Sequence, residues 1–109
     1  MTTRLEELRN FLAETPNDPF LKYAITMEHK KLGENMKVDE GFADLITNHS
    51  DYVGSYYHYA KFLEEQGELE KSLTIYQLGL EVAKRVGNRH AYNELLAAFN
   101  LAKGFDEDE

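Results

Sequence analysis

Residues 56–79 read YYHYAKFLEEQGELEKSLTIYQLG, and residues 22–45, one shift of 34 earlier, read KYAITMEHKKLGENMKVDEGFADL. The shift superposes Gly33 on Gly67, Glu34 on Glu68 and Lys37 on Lys71, and it sets Phe42 on Tyr76, Ile25 on Tyr59 and the small Thr26 on the small Ala60. On either side of each glycine, apolar residues recur at intervals of three and four, the spacing that gathers side chains on one helical face. Glycine suits the left-handed turn just past a helix end. Each window therefore reads as helix, turn, helix, and a helix pair recurring at this period marks a repeat architecture.

Working outward, the chain reads as six helices with no alternating pattern of a half-buried strand. The first runs from about Thr3 to Ala13 with Leu5, Leu8, Phe11 and Leu12 on one face, and it stops at Thr15-Pro16-Asn17-Asp18. Asp18 is a good N-cap and Pro19 a good first helical residue for the second, which carries Leu21, Ala24, Ile25 and Leu32 inward and ends at Gly33. The third spans Met36 to Thr47 and buries Val38, Phe42, Leu45 and Ile46; the fourth spans Tyr52 to Gln66 with Tyr56, Tyr59, Ala60 and Leu63 inward. The fifth, Leu69 to Val86, buries Leu73, Tyr76, Leu80 and Ala83, and Gly87-Asn88 closes it. The sixth, Arg89 to Lys103, turns Tyr92, Leu95, Leu96 and Phe99 inward. After Phe20 no proline interrupts any of these helices.

The pattern resembles the tetratricopeptide repeat family: an aromatic, a leucine and a small residue, a tyrosine, then a turn glycine and an alanine-phenylalanine spacing. Tyr56, Tyr59, Ala60, Leu63, Gly67, Ser72, Tyr76 and Gly79 stand at those positions in the second copy. In the first copy Pro16, Gly33, Val38 and Phe42 fit, while Lys22 replaces the large aromatic and His29 the tyrosine. The resemblance covers about residues 3–103 and implies an all-α, α-α superhelix of about six antiparallel helices. Its division is a half repeat at 3–15, a repeat at 16–49, a repeat at 50–86 and a capping helix at 89–103, forming one domain over 1–104. Phe105 to Glu109 reads as a disordered acidic tail. An unrelated six-helix bundle is the competing architecture, and topology separates the two.

Composition narrows the function classes. The chain has 109 residues, 42% apolar and 29% charged, which is globular. Its net charge of -8 lacks the Lys/Arg field that neutralises phosphates, so nucleic acid and anionic membranes are poor partners. No cysteine is present, which excludes disulfides and thiolate metal sites and makes the cytoplasm the default compartment. No apolar run is long enough to span a bilayer.

His29, His49, His58 and His90 have no metal-ligand spacing, and His29 reads as a core or half-buried packing residue. No glycine-rich phosphate loop or serine-nucleophile motif occurs, so neither a catalytic residue nor a metal or cofactor is expected. What the resemblance implies is a non-catalytic scaffold that binds a peptide or protein partner in a concave groove lined by the first helix of each pair. Carried over by position, the groove residues are Phe20, Tyr23, Met27, Lys30 and Lys31, then Tyr57, Lys61 and Glu64, then His90, Asn93, Ala97 and Asn100. The family's clamp for a terminal carboxylate is not implied, because its positions hold Tyr23, Met27, His58, His90 and Glu94. The alternative function is self-assembly into a homodimer through the terminal helices, where Leu5, Leu8, Phe11 and Leu12 or Ala91, Ala98, Leu101 and Ala102 offer apolar surface.

Overall fold

The computed structural model describes residues 3–107, with side chains described for 3–104. It consists of α1 (Arg4–Glu14), α2 (Pro19–Lys31), α3 (Asn35–Asn48), α4 (Gly54–Glu65), α5 (Leu69–Val86) and α6 (Arg89–Glu107), with no strand among the described residues. The chain divides into two compact units, Met1–Tyr52 and Val53–Glu109. In the first, α1 packs on α2 and α2 on α3; in the second, α4 packs on α5 and α5 on α6. No helix among the described residues is long and apolar enough to cross a membrane.

Local chemistry sets the helix starts. Thr3 Oγ1 accepts the Glu6 N–H at 3.1 Å while the Glu6 carboxylate accepts the Thr3 N–H at 2.8 Å, a reciprocal cap. Asp18 caps α2 by accepting the Phe20 and Leu21 N–H groups, with Pro19 in the first turn.

The helix ends repeat one solution three times. Gly33, Gly67 and Gly87 take φ of 75°, 80° and 76°. In each case the N–H of the next residue reaches back into the last turn: Glu34 to the His29 carbonyl, Glu68 to Leu63 and Asn88 to Ala83, at 3.0, 2.9 and 2.9 Å. The glycine N–H pairs with Lys30, Glu64 and Lys84 respectively. This double closure satisfies carbonyls that would otherwise be orphaned, and it needs a residue without a Cβ. The glycines aligned by the 34-residue shift are thus the ones that turn the chain.

In the second unit Tyr56, Tyr59, Ala60, Leu63, Tyr76, Ala83, Leu95 and Phe99 are buried, with the Tyr76 ring edge-on to Phe99 at 6.3 Å. Ser72 Oγ donates to the Ala60 carbonyl at 2.9 Å, so α5 lies directly against the α4 backbone. In the first unit Leu8, Val38, Phe42 and Leu45 form the apolar core. Here the close approach is between Gly41 of α3 and Thr26 of α2, whose Oγ1 is bonded back to the Lys22 carbonyl at 2.9 Å.

The two departures from the repeat pattern have structural partners. Lys22 is mostly covered, and its Nζ reaches Asp44 of α3 at 3.1 Å. Burial pushes the Asp44 carboxyl up, and hydrogen bonds from Asn48 and Lys22 more than offset it, so it titrates below the usual range. His29 is buried, as expected of a packing residue, and its Nδ1 shares a 2.6 Å hydrogen bond with Glu34 Oε1 across the α2–α3 turn. That bond, with the nearby charges of His29, Lys37 and Arg9, holds the Glu34 carboxyl below its ordinary value.

Several expectations need correction. Helix α4 starts at Gly54 and not at Tyr52, because the Tyr52 N–H closes a turn onto the His49 carbonyl. Leu32, expected on the inner stripe, is 58% exposed because it caps α2 immediately before the glycine turn. Phe11, expected inward on α1, is 55% exposed. Helix α6 continues to Glu107, past the expected end at Lys103 and into the stretch read as a disordered tail; Asp108 and Glu109 lie outside the described residues.

Three outcomes are expected in urea unfolding. A Cβ at Gly79 would stand 2.6 Å from Tyr56 Cβ, an atom that no rotamer change can move, and 3.1 Å from Leu95 Cδ1. Gly79→Ala gains about 1 kcal/mol of helix propensity, yet overpacking outweighs it, for a net loss of about 1–2 kcal/mol. Gly104→Ala, where the new atom meets nothing within 4 Å, should hold or raise the midpoint. Glu34→Gln keeps the shape and removes the charge. Because the Glu34 pKa is depressed in the folded state, its contribution is present above the unfolded value of 4.5 and lost as pH falls through the folded value. The native chain should therefore exceed the variant in midpoint near pH ~7, with the gap closing below pH ~4.

Candidate functional site

The residues expected to line the binding surface sit on three helices, and each helix sorts them by its own periodicity. On α2, Phe20, Tyr23, Met27, Lys30 and Lys31 fall at intervals that place them along one face. Phe20 is 56% exposed, a large ring held in water at the start of the helix. Tyr23 and Met27 are half-buried. The Tyr23 ring leans on Tyr52 of the same unit, with centroids 5.8 Å apart and planes tilted by 49°. Burial, and then the neighbouring Tyr52, push the Tyr23 hydroxyl up; burial, and then Asp18, do the same for Tyr52. Lys30 is half-buried, and Lys31 is exposed with its Nζ 3.8 Å from Glu28.

On α4, Tyr57 and Lys61 come together one turn apart. Both are half-buried, and the Lys61 ammonium stands 6.0 Å from the centroid of the Tyr57 ring, at the outer limit of a cation–π contact. The Tyr57 ring also meets His58 edge-on at 5.3 Å. Glu64, expected on the same face, accepts a short hydrogen bond from the Tyr76 hydroxyl of α5. Burial pushes the Tyr76 hydroxyl far up and the Glu64 carboxylate adds to it, so the pair holds α4 to α5 and leaves Glu64 less available to a ligand. On α6, His90, Asn93, Ala97 and Asn100 are all exposed.

Within each unit, then, Tyr57 and Lys61 are brought together and Phe20 projects, while Tyr23 and Glu64 carry structural contacts as well. Sequence reasoning missed Tyr52 as the platform for Tyr23, since it placed Tyr52 at a helix start. The Asn48-His49-Ser50-Asp51 break was the available signal, because a residue straight after it has a turn to make. Among the described residues no group of three or more His, Asp or Glu side chains is placed to hold a metal ion.

Helix pairs closed by a left-handed glycine and packed through a small residue define a helical repeat protein. The chain is 35% identical to a tetratricopeptide repeat domain protein from Salinibacter ruber solved by NMR, with a TM-score of 0.79, over 82% of this chain and 90% of that one. A crystal structure of the tetratricopeptide repeat domain protein from the same organism gives 34% identity and a TM-score of 0.75, over 80% and 97% of the two chains. A solution structure of a protein from Bordetella parapertussis shares the fold with a TM-score of 0.83 at 17% identity, covering 100% of this chain and 95% of that one. No protein-family model and no curated protein matches the chain. At this identity and coverage the chain belongs to the tetratricopeptide repeat family, and the all-α repeat fold read from the sequence is the fold it has.

Tyr23→Ala should cost about 1–3 kcal/mol by thermal unfolding, since it removes a half-buried ring and its contact with Tyr52, whereas Lys31→Gln on the exposed edge should stay within about 0.5 kcal/mol. Equal midpoints for the two variants would contradict the structural role given to Tyr23.

Proposed function

We propose that this chain is a non-catalytic interaction scaffold that binds a peptide or protein partner through the first-helix faces of its repeats. The observation that carries this reading is the α2 face, where Phe20 is exposed beside half-buried Tyr23 and Met27, with Lys30 and Lys31 at its far end. A large aromatic is costly to keep in water, and rings and methionine flanked by cations suit a segment that offers apolar anchors and acidic groups. In the second unit Tyr57 and Lys61 present the same pairing of ring and cation on α4. A non-catalytic role is supported by the titrating groups: the shifts at Glu6, Tyr23, Glu34, Asp44, Tyr52 and Tyr76 follow from burial, caps and helix-to-helix bonds. Shifts of that origin arise wherever helices cap and pack, so none of them by itself marks an acid–base group.

A second reading, self-association through the terminal helices, draws support from Phe11 on α1 and Leu101 on α6, which are 55% and 65% exposed.

Selection of peptides from a displayed random library, followed by calorimetry, tests the first reading. Selected peptides should bind near micromolar affinity, and Phe20→Ala, which removes an exposed ring, should weaken binding by about tenfold, or ~1.4 kcal/mol, with the melting temperature held; Tyr57→Ala should weaken it similarly while lowering the melting temperature and leaving the chain helical. Affinity unchanged by both variants would remove these faces from the account. For the second reading, light scattering over a concentration series should show a dimer that Phe11→Glu or Leu101→Glu dissociates; a monomer throughout would dispose of it.

A further inference from the structure

We propose that the second unit carries a separate docking site at the α5–α6 turn, which takes an internal segment of an acidic peptide with a carboxylate side chain next to an apolar one. A cavity of about 440 Å³ opens there, within the range of volumes that hold a ligand group. Its wall comes from the last turn of α5 and the first turn of α6. Ala83 is fully buried beneath the cavity, the bare backbone of Gly87, with φ of 76°, borders it with open space where a Cβ would stand, and the half-buried Tyr92 is its aromatic member. Tyr92 and Asn93 stand one turn on from Arg89 and face the same space, and Lys84 reaches it from α5.

Charge gives the ligand its sign. The chain has 20 acidic residues against 12 Lys and Arg, yet among the described residues neither Lys84 nor Arg89 has a side-chain ion pair or hydrogen bond. Both cations border one cavity, and a carboxylate seated there is attracted to each. Asn93 and Tyr92 line the same cavity, and neither side chain has a hydrogen-bond partner among the described residues. At the helix start Asn88 Oδ1 already accepts the Ala91 N–H at 2.9 Å. The charge that selects the ligand is carried by the Lys84 and Arg89 side chains.

Exposure gives the ligand its size. Lys84, Gly87, Asn88, Arg89 and Asn93 are all exposed, so the cavity lies open at the surface. A free small anion would stay largely in water and gain little from Tyr92, whereas a side chain projecting from a longer peptide is held in place by its own backbone. This site is independent of the α2 and α4 faces, although it includes Asn93, which the sequence reading assigned to the groove.

The test is a ¹⁵N NMR titration of the full chain with a blocked hexapeptide, acetyl-Gly-Asp-Leu-Asp-Phe-Gly-amide, alongside its twin with asparagine for aspartate and inorganic phosphate alone. Saturable shifts are expected at the Lys84, Gly87, Arg89 and Asn93 amides, at least about fivefold weaker for the neutral twin and weakening as salt rises. The paired variant Lys84→Gln and Arg89→Gln, both exposed, should lose affinity by at least about fivefold with its melting temperature unchanged. Equal binding of the neutral twin, or no loss in the paired variant, overturns the proposal. Phosphate alone matching the peptide would show a free-anion site and also overturn it. Shifts confined to α2 or α4 would overturn it too, while leaving the binding faces of those helices in place.

Discussion

In both units the fold depends on letting two helices approach until the backbone of a glycine on one lies against the first side-chain atoms of the other. In the second, Gly79 sits where any Cβ would strike the first side-chain atom of Tyr56, and Ser72 bonds directly to the Ala60 carbonyl. In the first, Gly41 admits Thr26, whose hydroxyl is turned back onto its own helix so that no donor is left unpaired. The large side chains Tyr56 and Tyr76 of the second unit and Phe42 and Leu45 of the first are buried on the helices that make these contacts. Thr26 and Ala60, related by the 34-residue shift, lie at the close approach in both units, while the residues facing them, Gly41 and Ser72, stand at different repeat positions.

Polar side chains then lock the angle between helices, and they do so differently in each unit. Where the second unit has an aromatic and a leucine, the first has Lys22 and His29, and each recruits an acid from the neighbouring helix or turn, Asp44 and Glu34. The second unit uses a neutral hydroxyl in the same service, with Tyr76 donating to Glu64. An ion pair such as Lys22–Asp44 tolerates partial exposure, which suits the first unit, while the buried Tyr76 donates a neutral hydroxyl to the half-buried Glu64. These bonds also explain why the strongest titration shifts lie between helices and not in a cavity.

The consequence for function is a division of labour on the first helices of the pairs. Residues one step off the packed stripe are half-buried, so they serve as both foundation and surface: Tyr23 rests on Tyr52 and Tyr57 carries Lys61. Phe20 and Lys31, at the ends of α2, have more exposed area to give to a partner. The α5–α6 turn adds a cationic margin to an acidic chain, and its position follows from a two-residue connection that brings Lys84 and Arg89 to one opening.

Much of this was legible in the chain itself, because periodicity and turn chemistry are local. The three glycines that turn the chain, the Asp18-Pro19 start, the bounds of α5 and the burial of Tyr56, Tyr59, Ala60 and Leu63 all follow from neighbours within a few residues, while the burial of Ser55 and Phe62 beside them did not. Tertiary structure alone decided where long side chains ended up. It turned Glu64 onto Tyr76, gave Lys22 to Asp44, left Leu32 and Phe11 in water, and placed Tyr52 under Tyr23. The reason is geometric: a helical period states which face a residue lies on, whereas its partner depends on what an element many residues away brings opposite that face.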